Sequence, residues 1–351
     1  MIGAVGQERP IDGCLKERSQ MKRFACFGRT GLVLAAALAL CLVGSAARAQ
    51  INVVVRTDFK FNGYVSPLAL AIAKGFYRDA GLNVSIEQGQ GSSTTVQTVA
   101  SGVDTFGLAD AATTVLGITT QNVPVKLVAV YNQTGTMGLI YHPESDWNGE
   151  IAALKGKVII SSAGSADAKL LAPTLATAGL KLEDVKLQLV DINARVPLFL
   201  QTPGSFLTGF ATGDLLRVRS RLPTAKYVPY ARYGLIAYGT GLIARNEMIE
   251  KSPSVVKKFV VATRQGWEAA AKEPDAAVEA SLKLYPDLSR DLLREGIRVS
   301  LEEQLHTERT KGHPIGWTDE RDWREMLEVL KSYSGVTPKE PAAYYTNQFV
   351  Q

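Results

Sequence analysis

Two stretches of one physical type limit what this chain can fold into. In the first, the strand-like run Leu82 to Ile86 meets a loop, Gly89-Gln90-Gly91-Ser92-Ser93, that leads straight into a helical pattern. In the second, Val158-Ile159-Ile160 meets Ser161-Ser162-Ala163-Gly164-Ser165, and a helix is expected over Ala166 to Ala178 with Gly179 as its stop. In open α/β sheets a ligand sits at the carboxyl ends of the strands. The unpaired amides of a helix N-terminus point at it there. Two such N-termini facing across a gap would clasp one small molecule from both sides.

The first stretch has further punctuation. An apolar helix ends at Gly75, and after the Gly/Ser loop Thr94 and Gln97 have the spacing of a capping box. Gly102 ends that helix, and a second strand, Thr105 to Ala109, delivers Asp110 to the mouth of another helix. Asp110 either caps this helix or accepts a hydrogen bond from a ligand. The loop is no nucleotide P-loop, because it lacks G-K-[ST] and with it the phosphate-gripping lysine.

The 351 residues suggest two domains after removal of a leader, and 46% hydrophobic content suffices for their cores. Residues 1–49 read as that leader, with Met21 the expected start. Lys22, Arg23 and Arg29 form a positive region, Gly31 to Val43 is an apolar run too short for a comfortable membrane span, and Ala47-Arg48-Ala49 is a small-x-small cleavage site. Lipidation at Cys41 is the weaker exit, since Leu38-Ala39-Leu40-Cys41 makes a poor lipobox. The three cysteines, Cys14, Cys26 and Cys41, all precede Gln50, so the mature part has neither disulfides nor thiolate sites. Residues 1–49 hold seven Lys/Arg against three Asp/Glu, so of the formal net charge of +5 only about +1 belongs to the rest. The basic balance therefore gives no support to nucleic-acid binding.

The run K-G-F-Y-x-x-A-G-L-x-V-x-I from Lys74, followed by the Gly/Ser loop and then S-G-x-D-x-x-G, resembles the substrate-binding proteins of ABC importers, within them the NMT1/THI5-like (SsuA/THI5-like) group. The resemblance extends from about Asn52 to about Trp323. It implies an α/β, two-lobed periplasmic-binding-protein fold of type II, with a mixed β-sheet flanked by helices in each lobe and the ligand cleft between lobes. It also implies a periplasmic, monomeric receptor that carries a small-molecule solute to an ABC permease at the inner membrane, with its ATPase on the far side. Leu154-Lys155-Gly156-Lys157 before the second strand–loop–helix looks like the start of lobe 2 in such proteins. Lobe 1 is thus expected over 51–138 plus 241–351 and lobe 2 over 139–240. One departure falls at Gln201 to Phe206, where relatives place S-G-x-V-D-A.

Candidate ligand contacts follow the same logic. After the first strand, Ile51 to Arg56, the loop Thr57 to Tyr64 packs three aromatics, a Lys and an Asp into eight residues, and Asp58, Phe59 and Tyr64 are expected in the cleft. Gly91, Ser92, Ser93 and Asp110 come from the first junction, and Gly164 and Ser165 from the second. Asn193 and Arg195 follow the strand Lys186 to Val190, and Arg195 has the chemistry to hold an anion bidentately or to bridge to a carboxylate. The crossing segments add Thr134 and Tyr238.

No catalytic constellation and no metal site is evident. His142, His306 and His313 are isolated, and neither H-E-x-x-H, G-x-S-x-G nor a strand-borne G-x-G-x-x-G occurs. The chain reads as a binder without cofactor rather than an enzyme. Its solute is expected to be a flat heterocycle such as a thiamine pyrimidine precursor, stacked against aromatics of the 57–64 loop and Tyr230 and Tyr233. A sulfonate or nitrate-type anion is the alternative. A THI5-like pyrimidine biosynthetic enzyme is the alternative from another class, and the cysteine-rich motif of such enzymes has no match here.

Overall fold

A computed structural model describes residues 50–235 and 237–351, apart from the side chains of Tyr333 and Ser334. The leader expected over 1–49 lies outside the described residues. Among the described residues no helix is long and apolar enough to cross a membrane.

Ten strands divide between two five-stranded sheets. The first sheet is ordered β2 (Leu82–Glu87), β1 (Ile51–Arg56), β3 (Phe106–Asp110), β10 (Thr240–Arg245), β4 (Val125–Val130). β1 runs parallel to β2 and β3, while β10 lies antiparallel between β3 and β4. The second sheet is ordered β7 (Lys186–Leu189), β6 (Val158–Ser161), β8 (Phe206–Phe210), β5 (Met137–Tyr141), β9 (Lys226–Pro229). Its β6 is parallel to β7 and β8, and β5 is antiparallel to β8 and β9. In each sheet the antiparallel strand is the one that arrives from the other lobe. The inner strands β3 and β8 are the most buried of the parallel set, while the edge strands β2 and β7 keep exposed positions.

Two helices stand at the strand ends that matter. α1 (Ser92–Ala100) follows β2, and α2 (Ala111–Gln121) follows β3. In the second lobe α3 (Ala166–Ala176) follows β6, α4 (Arg195–Gln201) follows β7, and α5 (Asp214–Arg219) follows β8. The departure at Gln201 to Phe206 is the end of α4 plus a tight turn, in which Gly204 takes φ 76° and the Ser205 hydroxyl donates to the Thr202 carbonyl.

The crossings run side by side. Tyr131 and Asn132 amides both donate to the Thr240 carbonyl, and the Gly239 amide donates back to Asn132 at 2.8 Å. A Cβ on Gly239 would sit 3.1 Å from the Asn132 carbonyl, a tight approach that glycine avoids. A π-helical turn, Ser300–Gln304, braces this pair through Gln133 N to Gln304 O at 2.6 Å and Thr134 Oγ1 to Glu303 O at 2.8 Å.

The long C-terminal helices carry apolar stripes at helical spacing. α6 (Pro253–Lys272) buries Val256, Phe259, Val260, Thr263 and Trp267, and Phe259 stacks on Phe106 of β3 at 4.3 Å. α7 (Glu320–Ser334) presents Trp323, Met326, Leu327 and Leu330 to a core shared with Leu170 and Leu171 of α3. The chain's end pairs with β4, with Leu127 N on Tyr344 O and Thr346 N on Leu127 O, both 2.9 Å. It thereby covers an edge that would otherwise offer unpaired backbone groups.

Candidate functional site

The two strand–loop–helix junctions meet. The Ser93 amide, in the first turn of α1, donates to the Gly164 carbonyl across the gap at 3.4 Å. A Cβ on Gly91 would stand 3.0 Å from that same carbonyl, and Gly91 takes φ 123°, a conformation essentially reserved for glycine. Gly91 is itself the N-cap of α1. The helix therefore begins at Ser92, two residues before the expected Thr94 cap, and no capping box forms: Gln97 instead donates to Gln121. Glycine makes the early start possible by turning the chain without a side-chain cap.

The 57–64 loop holds the first junction in place. Gly91 N donates to Asp58 O at 2.7 Å, Gly89 N to Phe59 O at 3.2 Å, and Thr95 Oγ1 to Thr57 O at 2.9 Å. Asp58 is buried, takes a hydrogen bond from the Tyr64 hydroxyl, and takes another from Thr240 Oγ1 at 3.2 Å. Burial pushes its carboxyl up to about 6 against those two donors. Asp110 caps α2 by accepting the Thr113 amide at 2.8 Å, while its own amide donates to Ser92 Oγ at 3.1 Å. Burial, helped by the charges of Asp58 and Asp167, pushes the Asp110 carboxyl up to about 7. Its Oδ2 has no partner among the described residues, nor do the hydroxyls of Ser93 and Ser162. Such orphaned buried acceptors and donors are costly unless something else satisfies them.

The second lobe answers with an ion-paired cluster. Arg195 Nη1 bonds Asp167 Oδ2 at 2.9 Å and Arg195 Nη2 bonds Asp214 Oδ2 at 2.6 Å, with all three side chains at most 1% exposed. Burial pulls the guanidinium pKa down, and the two carboxylates more than offset it, so that the pKa is raised. Ser165 caps nothing with its side chain, whose hydroxyl turns back to the Ser162 carbonyl at 2.9 Å.

Asp58, Phe59, Tyr64, Gly91, Ser92, Ser93, Asp110, Gly164 and Ser165 thus belong to one interlobe region. Four expected contacts need correction. Arg195 spends Nη1 on Asp167 and Nη2 on Asp214, so it bridges carboxylates within its own lobe. Asn193 is exposed and lines an open groove of the second lobe, about 800 Å³, with His142, Pro197, Gln201, Arg217 and Arg221. That groove touches neither junction. Tyr238 is buried against Trp323 at 5.1 Å, with its hydroxyl donating to Asp319 O and Asp322 Oδ2. Thr134 spends its hydroxyl on the Glu303 carbonyl. Reading the sequence missed Asp167, Asp214 and Thr240. The first two were visible as acidic residues in the first turns of helices that follow strands; nothing in the sequence signalled Thr240.

Between the lobes, Asp58, Phe59, Tyr64, Asn132, Phe210 and Thr240 line a cavity of about 20 Å³. That is room for about one water molecule. A solute of any size enters only if the lobes part. Among the described residues no cluster of His, Cys, Asp and Glu is arranged to hold a metal ion.

A family model described as NMT1/THI5 like matches residues 62–277. The chain is 24% identical over 302 residues to the riboflavin-binding protein RibY of Chloroflexus aurantiacus, covering 81% of this chain and 82% of that protein. Its fold superposes on the alkanesulfonate-binding protein SsuA of Xanthomonas axonopodis pv. citri bound to MOPS, with TM-score 0.63 and 13% identity over 86% of this chain and all of that one. It also superposes on the desulfurization enzyme DSZB, with TM-score 0.58 and 14% identity over 86% of this chain and 98% of the other.

Proposed function

Because the chain belongs to the NMT1/THI5-like family, we propose that it is an exported receptor that traps a small molecule between its lobes and hands it, unchanged, to an ABC permease at the inner membrane. One observation carries the reading: the junctions touch through Ser93 N and Gly164 O, with the unpartnered polar atoms of Ser93, Asp110 and Ser162 buried around that contact. Hinge motion of the two crossing segments opens and closes such a clasp.

The solute is a flat heterocycle rich in hydrogen-bond donors, of the kind a thiamine pyrimidine precursor represents. Asp58, Asp110 and Asp167 bring acceptors to the region, and the one buried guanidinium is already paired. An anion meets several carboxyl groups there. A riboflavin-binding relative fits the same preference. The second reading, capture of a sulfonate by the amides of the two helix N-termini, is favoured by the fold shared with an alkanesulfonate-binding protein.

Thermal-shift screening followed by isothermal titration separates them. Aminopyrimidines or riboflavin are expected to raise the Tm, and the recovered solute is expected to be chemically intact. A shift with alkanesulfonates alone overturns the heterocycle reading, and conversion of the solute overturns the receptor reading.

A further inference from the structure

Phe59 stands where the lobes meet. It comes from the first lobe, is 8% exposed, and lines the interlobe cavity opposite Phe210 of the second. Two guanidinium groups of the second lobe lie over its ring: Arg195 at 5.5 Å from the centroid and Arg217 at 4.9 Å. The fork of Arg195 is committed in its own plane to Asp167 and Asp214. Its Nε has no partner among the described residues, and its Cζ lies 5.5 Å from the centre of the Phe59 ring. A face attracts the π-electrons of an aromatic ring, whereas gripping a carboxylate or sulfonate needs the edge.

We propose that a flat aromatic ring of the solute enters between Phe59 and these guanidinium faces, taking over in the loaded receptor the contact that Phe59 makes with Arg195 and Arg217 in this closed form. The inference deepens the receptor reading above and rests on it. Each lobe then keeps a π-contact with the cargo: the benzyl face from the first, the guanidinium plane from the second. Recognition falls to ring planarity, and the carboxyls of Asp58 and Asp110 read the donors on the ring's edge. A saturated anion such as a short alkanesulfonate presents no face to either wall.

The test titrates riboflavin, an aminopyrimidine and ethanesulfonate into the full chain and three variants. Phe59→Leu keeps apolar bulk and removes the π-face. Phe59→Trp keeps a face. Arg217→Lys keeps the charge and removes the plane. For whichever ring compound binds the wild type, Phe59→Leu is expected to weaken Kd about tenfold or more, in line with the usual loss of a stacking partner, Arg217→Lys less, and Phe59→Trp to hold Kd within about threefold. Thermal unfolding without solute checks that each variant is folded. A Phe59→Leu chain that is folded and binds the ring compound within about twofold of wild type overturns the stacking proposal and leaves the receptor reading intact. Wild type that binds ethanesulfonate and neither ring compound overturns the heterocycle reading, and this proposal with it.

Discussion

The two walls of the cleft grow from the same strand–loop–helix unit, yet they handle buried charge in opposite ways. In the second lobe Asp167 and Asp214 share one guanidinium, and the cluster carries its own neutralising cation. In the first lobe Asp58 and Asp110 meet hydroxyls and an amide, from Tyr64, Thr240 and Thr113, and no cation among the described residues bonds either. An ion-paired cluster keeps its geometry over a wide pH range, whereas lone buried carboxyls change state near neutrality. The difference assigns a fixed wall to the second lobe and an adjustable one to the first.

The largest effect should come from breaking the fixed wall. Arg195→Met strands two buried carboxylates and is expected to cost about 3–5 kcal/mol in chemical denaturation. Asp58→Asn, on the other wall, should cost far less, since burial already favours its protonated form. A comparable loss from both would erase the contrast.

Next come the glycines at the contact. Gly91→Ala strains a φ of 123° and drives a Cβ to 3.0 Å from the Gly164 carbonyl. A loss of about 1–3 kcal/mol is expected, with weaker solute binding by titration because closure is obstructed. Gly164→Ala, at φ 78° with its nearest neighbour 3.9 Å away on Ser93, should cost about 1 kcal/mol and leave closure nearly intact. Equal effects on binding would mean that the junctions do not press together in the closed form.

The adjustable wall predicts a pH dependence. Asp58 and Asp110 lie near 3.8 when exposed and rise to about 6 and about 7 in the fold, so between about 4 and 7 the folded chain holds more protons than the unfolded one. This contribution to stability is complete below about pH 4 and is lost as pH rises through 6 to 7. Asp110→Asn keeps an acceptor for the Thr113 amide and should flatten the decline in Tm across that window. An unchanged profile would remove Asp110 from the account. The smallest effect belongs to the surface: Arg298→Ala loses exposed pairs with Glu295 and Glu302 and should cost at most about 1 kcal/mol, mostly gone in high salt.

Much of this was legible in the residues. β-branched runs ending in Gly/Ser loops marked both junctions, and the stripe from Val256 to Trp267 marked a buried helix face. The sequence points to Thr94 as the start of α1 because a side-chain cap is the usual signal, whereas a glycine in a rare conformation starts the helix. The sequence leaves Arg195 open between gripping an anion and bridging to a carboxylate, because its partners are distant in sequence, 28 and 19 residues away. Tyr238 looked like a cleft aromatic until α7, from the far end of the chain, claimed it. Periodicity reports which face of an element is apolar; it does not report which buried polar groups find each other.

The contact between the junctions is expected to be one of two states, because so small a cavity admits no solute while closed. With all three cysteines before Gln50, Ser101→Cys and Gln188→Cys place one spin label on each lobe at exposed sites. Double electron–electron resonance, on protein with the three native cysteines replaced by serine, should give a distance distribution that includes a longer, open population and that collapses to the shorter one when a ring compound binds. A single distance, unchanged by any solute that binds, would contradict it.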